Sequence, residues 1–292
     1  MSQGLIDLHS HTTHSDGSAT PRELLAQAHA AGASAVAITD HDTVTGLKEG
    51  RLAAAEFDIE LIDGIEISAE YSPGTMHVLG YFINTESVSL NAALVGLREA
   101  RERRNPQIAE RLQSLGVSIA YEEVERLAGN EVVGRPHFAR LLVERGYAAS
   151  IQDAFDQFLG KGAAAYVEKA RLSPAASIAL IHEAGGVAVL AHPYQLKLAS
   201  LEEAEQLVVE LAALGLDGVE AVYSRHSQAE RDAYARMARR HGLLVTGGSD
   251  YHGTYKPDIA IVRGKGDLAV PYELLNELRQ RATARRQAAK GN

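Results

Sequence analysis

The sequence predicts an α/β protein in which short strands alternate with helices, arranged as a barrel or as a parallel sheet. Seven apolar or β-branched segments have the length and pattern of strands, and helical patterns separate most of them. These segments are Leu5–His9, Ala35–Thr39, Glu60–Ile67, Met76–Ile83, Gly186–His192, Gly218–Tyr223 and Leu243–Gly248. One long stretch, residues 86–162, carries helical patterns alone and predicts an insertion between strands.

The helix after the first strand is defined by signals at both ends. Thr20 is an N-cap residue, Pro21 occupies the first helical position, and Glu23 completes a capping box with Thr20. Gly32 supplies the stop signal at the other end. The first strand, this helix and the second strand therefore form a βαβ unit.

The third and fourth strands are predicted to form a hairpin. The sequence between them, Ser72-Pro73-Gly74-Thr75, is typical of a tight turn. A turn this short joins antiparallel strands, because parallel strands need a longer crossover. We therefore expect one antiparallel pair within an otherwise parallel arrangement.

Four helices are predicted within the insertion. They are Arg98–Leu115, Tyr121–Ala128, Arg135–Arg145 and Ile151–Leu159. We expect residues 86–162 to cover the mouth of a domain built from residues 1–85 and 163–292. The polar, basic tail Ala282–Asn292 is predicted to be a frayed helix end.

Composition limits the chemistry and the partners of the chain. It has no cysteine, so any bound metal must be held by nitrogen and oxygen ligands. A formal net charge of -9 argues against binding of extended nucleic-acid duplex. There is no apolar run of about 18 residues, and the first residues are too polar for a signal peptide, so we expect a cytoplasmic protein without a membrane partner. No heptad seam or symmetric patch indicates an oligomeric state.

Histidines and carboxylates recur where the predicted strands end. His9 and His11 close the first strand, and residues i and i+2 of a strand point to the same side, so both imidazoles can face one cation. Taken alone, the pair is equally compatible with two surface histidines. Similar residues follow other strands, namely Asp40-His41-Asp42, Glu66, His192-Pro193 and Asp250-Tyr251-His252. Gathering so many ionisable groups without a metal would be costly, so the pattern predicts a metal centre at the strand ends.

Taken in order, these motifs resemble those of the polymerase and histidinol phosphatase (PHP) family, within the amidohydrolase-like barrels. The matching motifs are Asp7-Leu8-His9-Ser10-His11, Ser15-Asp16-Gly17, Thr39-Asp40-His41-Asp42, Gly64-Ile65-Glu66, His77, Ala191-His192-Pro193 and Gly248-Ser249-Asp250-Tyr251-His252. The resemblance covers the chain outside the helical insertion. It implies a distorted, TIM-barrel-like β/α barrel of seven strands that binds two or three divalent ions. Manganese is the first expectation, with iron, zinc and magnesium as alternatives.

The resemblance also implies which residues bind each ion. The first ion would be held by His9, His11, Glu66 and Asp250. Glu66 would bridge to a second ion held by His77 and His192, and Asp16, His41 and His252 would take a third. These ions would generate hydroxide at neutral pH for attack on a phosphate ester. His192 and His226 are the candidate catalytic residues, with His226 as the proton donor to the leaving group.

A second anion site is predicted from arginines and histidines outside the ligand set. Its candidate residues are Asn105, Arg135, His137, Arg225 and His226. Arginine suits this role because its guanidinium binds phosphate through paired hydrogen bonds. The alternative for Arg135 is an ion pair with a carboxylate of the insertion.

The insertion and these residues resemble one PHP branch, the small bacterial phosphoesterases that act on 3',5'-bisphosphonucleotides and on short 5'-phosphorylated RNA. This likeness implies hydrolysis of the 3'-phosphate of a nucleotide such as adenosine 3',5'-bisphosphate. The main alternative is a 5'-3' exoribonuclease that acts on short RNA ends. Two further alternatives are a histidinol-phosphatase-like monoesterase and, as a protein that is not an enzyme, an inert accessory or regulatory module.

Overall fold

The computed structural model describes residues 4–129 and 133–291. In these ranges the strands are β1 (Leu5–Asp7), β2 (Ala33–Ile38), β3 (Glu60–Ala69), β4 (Met76–Tyr81), β5 (Val187–Leu190), β6 (Gly218–Tyr223), β7 (Leu244–Gly248) and β8 (Val270–Pro271). They form one sheet in the order β7-β6-β5-β4-β3-β2-β1-β8. The predicted mixture of strands and helices is therefore confirmed.

Most neighbouring strands run parallel, and β4 is the internal exception. It pairs antiparallel with β3 on one side and with β5 on the other. The hairpin predicted at residues 72–75 is confirmed. Because β4 is reversed, its first residues lie at the same edge of the sheet as the last residues of β3, with His77 opposite Ser68.

The sheet nearly closes into a barrel where the chain continues beyond β1 and β7. Leu8 donates a backbone hydrogen bond to Gly247 at 3.2 Å, and Asp250 donates one to His9 at 2.9 Å. A Cβ atom at Gly248 would lie 2.4 Å from the backbone nitrogen of His9, so glycine permits this close approach. Of the two predicted arrangements, the structure has the barrel.

Ten helices accompany the strands in the described ranges. They are α1 (Pro21–Ala30), α2 (Leu47–Phe57), α3 (Val88–Ser114), α4 (Tyr121–Ala128), α5 (Arg135–Glu144), α6 (Ile151–Ala154), α7 (Pro174–Glu183), α8 (Leu201–Ala213), α9 (Gln228–Arg240) and α10 (Glu273–Gly291). The capping box of α1 is confirmed, because Thr20 Oγ1 accepts from the Glu23 amide and the Glu23 carboxylate accepts from the Thr20 amide. A π-helical turn, Phe155–Leu159, continues α6.

The chain packs into two compact units. The first comprises residues 1–92 and 171–292 and contains the barrel, and the second comprises residues 93–170. The described part of the second unit is helical, with an apolar core of its own that includes the fully buried side chains of Ile108, Leu112, Phe138 and Leu142. The assignment of residues 86–162 as a cover for the barrel mouth stays a prediction.

Several elements differ from the prediction. The first strand ends at Asp7, two residues before the predicted end at His9. The described residues contain eight strands rather than seven, because the two-residue strand β8 pairs with β1 and is too short to show a pattern. Helix α3 begins at Val88, ten residues earlier than the predicted Arg98. Ser87, the residue before it, accepts a hydrogen bond through Oγ from the Leu90 amide at 3.4 Å. Helix α10 covers most of the predicted frayed tail, and Asn292 lies outside the described residues.

No helix in the described ranges combines the length and the apolar character that crossing a bilayer requires.

Candidate metal centre

Nine histidines and carboxylates from the strand ends gather in the barrel unit. They are His9, His11, Asp16, His41, Glu66, His77, His192, Asp250 and His252. The carboxyl ends of the parallel strands and the reversed start of β4 all lie at one edge of the barrel, which explains why residues so distant in sequence meet. The structure therefore brings together every residue that the sequence predicted as a metal ligand.

The first group of donor atoms surrounds one oxygen of Glu66. The Nε2 atoms of His9 and His11 lie 3.1 Å apart, and each lies 3.2 Å from Glu66 Oε2. Asp250 Oδ1 lies 3.6 Å from His9 Nε2 and 3.4 Å from His11 Nε2. Four ligands held about 2.0–2.2 Å from one ion in a tetrahedron are separated by about 3.3–3.6 Å. The distances from the two histidine nitrogens to Asp250 Oδ1 fall in this range and those to Glu66 Oε2 lie just below it, and His9, His11 and Asp250 form a set of donors that could hold one ion.

The second group shares Glu66 through its other oxygen. Glu66 Oε1 lies 2.8 Å from His77 Nδ1 and 2.9 Å from His192 Nε2. The two imidazole nitrogens are 3.3 Å apart. Glu66 therefore presents one oxygen to each of two neighbouring groups, which is the arrangement of a bridging carboxylate.

A third group lies around Asp16, in the loop between β1 and α1. His252 Nε2 is 3.3 Å from Asp16 Oδ1, and His41 Nε2 is 3.7 Å from Asp16 Oδ2. His11 also contributes, because its Nδ1 lies 3.6 Å from Asp16 Oδ1 while its Nε2 faces the first group. The Asp16 side chain is 37% exposed, so this group lies on the open side of the centre.

The hydrogen bonds within the cluster fit a metal-binding site. In the described chain, the buried atoms Glu66 Oε2 and His41 Nδ1 make no hydrogen bond, although they lie only 3.1 Å apart. Buried polar atoms without partners are costly, and a cation would satisfy both. The cluster can bind divalent ions, and its nitrogen and oxygen donors suit manganese, iron, zinc or magnesium.

The two central carboxylates stay ionised although they are buried. Burial favours the neutral form of Glu66, but the imidazoles around it, those of His41 and His77 first, hold its pKa well below the usual value. Burial also opposes the charge of Asp250, and Lys256 is the first of the groups that hold its pKa well below the usual value. Both side chains are therefore available as anionic ligands.

Two of the histidines attract protons in the absence of an ion. Burial lowers the pKa of His9, but Glu220 and Glu66 outweigh it and raise the pKa well above the usual value. Burial likewise opposes protonation of His11, and its close contacts with the Asp250 and Glu66 carboxylates raise its pKa to about 9. A cation that binds here must displace protons, so its affinity should rise with pH.

Residues outside the ligand set hold the ligands in place. Asp250 Oδ2 accepts a hydrogen bond from the Tyr223 hydroxyl at 3.0 Å and one from Lys256 Nζ at 2.8 Å, which leaves Oδ1 to face the first group. Asp40 accepts hydrogen bonds from the Thr12 amide at 2.7 Å and the Ser15 hydroxyl at 2.6 Å, and so fixes the loop that carries Asp16. Such outer contacts set the orientation of metal ligands.

Two ligand positions have a strained backbone. His192 has φ 24° and Asp250 has φ 58°, in the left-handed region that residues other than glycine rarely adopt. Such strain persists where the surrounding contacts outweigh it, and it is concentrated at functional sites. The backbone geometry at these two positions supports a functional role for both.

Two of the predicted anion-binding residues, Arg225 and His226, lie in the barrel unit, and both contact other protein groups. Arg225 is exposed, with Nη2 3.4 Å from Asp258 Oδ2. His226 is buried, its Nδ1 is 2.9 Å from the Ala221 carbonyl oxygen, and its Nε2 accepts from the Tyr194 amide at 3.3 Å. Both ring nitrogens of His226 therefore have backbone partners, and burial lowers its pKa. Its role as a proton donor stays a prediction.

The other three predicted residues belong to the helical unit. Asn105 is buried, accepts hydrogen bonds from Arg104 and donates one to the Val133 carbonyl at 3.0 Å. Arg135 begins α5, donates to the Val167 carbonyl at 2.6 Å and stacks over the Tyr166 ring. His137 Nδ1 accepts from the Gly134 amide at 3.0 Å. Two of the contacts of Arg135 are thus with a backbone carbonyl and an aromatic ring, and its phosphate-binding role stays a prediction.

Sequence reasoning passed over the residues that support the ligands. Glu220, Tyr223 and Lys256 were not singled out, although each contacts a ligand residue. Glu220 carried the clearest signal, because it is an acidic residue in the middle of an otherwise apolar strand. An acidic residue within a strand that leads to the predicted metal centre could have indicated a contact with the metal ligands.

A nearly closed α/β barrel with this cluster of donors at the strand ends defines a metal-dependent hydrolase. The PHP domain model matches residues 7–214, and the chain belongs to the PHP domain family. The likeness stated from the sequence motifs is thereby confirmed.

Relatives and a solved structure support the same class. A 5'-3' exoribonuclease of Haemophilus influenzae is 36% identical over 246 residues, covering 84% of this chain and 89% of the relative. A 3',5'-nucleoside bisphosphate phosphatase of Chromobacterium violaceum is 35% identical over 248 residues, covering 85% and 87%. A Bifidobacterium adolescentis protein, described as a predicted metal-dependent phosphoesterase, has a TM-score of 0.82 and 33% identity, with 96% of each chain covered. This chain is a metal-dependent phosphoesterase.

Proposed function

We propose that the chain hydrolyses the 3'-phosphate of 3',5'-bisphosphonucleotides, for example adenosine 3',5'-bisphosphate to AMP and phosphate. The observation that carries the proposal is Glu66, which presents one carboxylate oxygen to each of two groups of histidines and carboxylates. A pair of ions bridged in this way suits hydrolysis of a phosphate ester. The name of the Chromobacterium violaceum relative supports the choice of substrate.

The proposed ligand sets follow the three groups of donor atoms. His9, His11, Glu66 and Asp250 would hold the first ion, Glu66, His77 and His192 the second, and Asp16, His41 and His252 a third. We propose Mn²⁺ as the ion. When bound, such ions supply hydroxide at neutral pH and neutralise the charge of the phosphate oxygens.

The protein's own part is to hold this centre in a fixed geometry. Tyr223 and Lys256 fix the orientation of Asp250, and Asp40 fixes the loop of Asp16. These contacts are in place before substrate arrives, so little reorganisation is needed during the reaction. Asn105, Arg135, His137, Arg225 and His226 are proposed to recognise the 5'-phosphate or the base.

The experiment that tests this function compares phosphate release from three nucleotides. With Mn²⁺ present, the protein should release phosphate from adenosine 3',5'-bisphosphate and leave 5'-AMP intact, and 3'-AMP tests whether the 5'-phosphate is required. Glu66→Gln should lower the rate by more than about 100-fold, beyond the usual effect of losing an outer contact to a ligand. Equal turnover of the bisphosphate and of 5'-AMP would contradict the proposal.

A second candidate is a 5'-3' exoribonuclease that acts on short 5'-phosphorylated RNA. It is favoured by the name of the Haemophilus influenzae relative, whose identity to this chain is similar to that of the phosphatase. The two activities give different products on one substrate, a 5'-phosphorylated oligoribonucleotide. An exoribonuclease shortens it one nucleotide at a time, whereas a phosphomonoesterase leaves its length unchanged.

A further inference from the structure

Glu220 is a fully buried carboxylate in the barrel unit that contacts two of the proposed ligands. It lies within β6, and its side chain is 0% exposed. Its Oε1 lies 2.9 Å from His9 Nδ1, and its Oε2 accepts a hydrogen bond from the His192 backbone amide at 2.8 Å. His9 belongs to the first group of donor atoms and His192 to the second.

The contact with His9 fixes which ring nitrogen faces the centre. A carboxylate that accepts from Nδ1–H keeps the proton on that nitrogen and leaves the Nε2 lone pair for a cation. In this structure His9 Nε2 is the atom that lies 3.2 Å from Glu66 Oε2. Glu220 therefore determines both the orientation of the His9 ring and the atom that it offers.

The contact with His192 fixes a strained stretch of backbone. His192 has φ 24°, and its amide hydrogen bond to Glu220 holds the chain in that conformation. The conformation directs His192 Nε2 to a position 2.9 Å from Glu66 Oε1. A small rotation of this backbone would displace the imidazole from the second group.

We propose that Glu220 is a positioning residue that aligns the ligands of both ion groups at once, so that the two ions bind as a coupled pair. The inference rests on the ligand sets given with the proposed function and does not depend on the substrate. Glu66 links the two groups through its own carboxylate oxygens. Glu220 links them through His9 Nδ1 and the His192 backbone amide, which do not face the proposed ions. Burying a carboxylate is costly, and both of the hydrogen bonds described for Glu220 go to residues of the centre.

The test measures ion binding in place of turnover. Wild-type protein, Glu220→Ala and Glu220→Gln are stripped with a chelator and titrated with Mn²⁺ by calorimetry, and electron paramagnetic resonance reports whether adjacent Mn²⁺ ions interact. Glu220→Ala should weaken binding at both groups by about 10- to 100-fold and remove the signal of the interacting pair. Glu220→Gln keeps the volume and one acceptor, so we expect an intermediate loss.

Asp217→Asn is the matched control for loss of a buried carboxylate. Asp217 is also 0% exposed and lies in the barrel unit, but it contacts His182, Arg281 and Arg285, none of them a proposed ligand. It should lower stability and leave Mn²⁺ affinity unchanged. Circular dichroism of each metal-free variant tests whether it is folded. If Glu220→Ala is unfolded, the comparison of Mn²⁺ binding is made with Glu220→Gln.

Each outcome separates the two proposals. Loss of the interacting pair in the Glu220 variants, with Asp217→Asn unchanged, supports the inference whichever substrate is found. Wild-type affinity in both Glu220 variants, or weakening of one group alone in Glu220→Ala, overturns it. Wild-type protein that binds no Mn²⁺ would overturn the ligand sets, whereas normal binding without phosphate release would contradict only the proposed substrate.

Discussion

Tyr223, at the end of β6, donates its hydroxyl hydrogen bond to Asp250, just beyond β7, across a distance of 3.0 Å. The hydroxyl meets Oδ2 and leaves Oδ1 within 3.6 Å of the imidazole nitrogens of His9 and His11. An uncharged residue on one strand thus orients a charged residue that follows the next. This contact leads to the first prediction.

Tyr223→Phe should lower Mn²⁺-dependent phosphatase activity about tenfold, the lower end of the effect expected for an outer contact to a ligand. The smaller effect is expected because Lys256 still holds Asp250 Oδ2. Activity is measured as a function of Mn²⁺ concentration, and the concentration giving half-maximal activity should rise. Tyr81→Phe is the control, because the buried Tyr81 hydroxyl donates to the Leu8 carbonyl and not to a ligand side chain. Equal effects of the two substitutions would show that the contact with Asp250 has no special role.

Removal of the ions should destabilise the folded protein as well as inactivate it. Ligands that bind only the native state stabilise it by about 2.7 kcal/mol when their concentration is 100 times the dissociation constant. Denaturant unfolding with Mn²⁺ and with a chelator measures the difference. The double variant His9→Ala/His11→Ala lacks two ligands of the first group and should respond much less to Mn²⁺. A wild-type protein whose unfolding is the same in both conditions would argue against a metal centre.

Arg135→Ala should raise the KM for bisphosphonucleotides far more than the KM for a simple aryl phosphate. The expected reason is loss of a cation that recognises the second phosphate, worth about 1.5–3 kcal/mol as a charged hydrogen bond. Arg140→Ala on the same helix is the matched control, because Arg140 is exposed and pairs with Glu144. Parallel losses on both substrates would assign Arg135 a structural role through Val167 and Tyr166.

Asp217→Asn should lower the free energy of unfolding by about 1.5–3 kcal/mol at neutral pH, the usual contribution of a hydrogen bond to a charged group, because its arginine partners remain partly exposed. Burial opposes the charge of Asp217, but hydrogen bonds from His182, Arg285 and the Ala188 amide outweigh it and lower its pKa below the usual 3.8. Its stabilising effect is therefore complete above pH 3.8 and is lost as the pH falls through the lowered pKa. Denaturant unfolding of both proteins at a series of pH values should show their difference shrinking in acid. A difference that stays constant to the lowest pH would contradict this assignment.

The sequence was sufficient to predict this cluster of histidines and carboxylates, because their residue types and their positions after predicted strands both indicate it. His9 and His11 lie two residues apart just beyond β1, and Asp250 and His252 lie two residues apart just beyond β7. Histidines and carboxylates gathered at the ends of apolar strands lose solvation, and metal binding or catalysis are the roles that most often account for this cost. Their location could therefore be predicted without knowing how the strands pair.

Contacts that depend on local backbone geometry could not be predicted in the same way. His226 was predicted from its residue type, but the turn after β6 directs both of its ring nitrogens to backbone partners. Glu220 stands out in an apolar strand, but its contacts with His9 and the His192 amide depend on how β6 lies beside the chain segments that follow β1 and β5. Strand β8 was missed because two residues are too few to form a pattern, and its pairing with β1 is decided by the fold.

The closure of the barrel through β1 and β7 has a consequence for biosynthesis. A chain that emerges from the ribosome presents His9 and His11 early, but their partner Asp250 appears only after most of the protein has been made. Before that point the second group, Glu66, His77 and His192, can be complete, but the first group lacks Asp250 and the third lacks His252. The complete centre forms only when the last parallel strand docks against the first, so binding of ions at all three groups marks the end of folding, and loss of the segment that follows β7 would remove ligands from two groups at once.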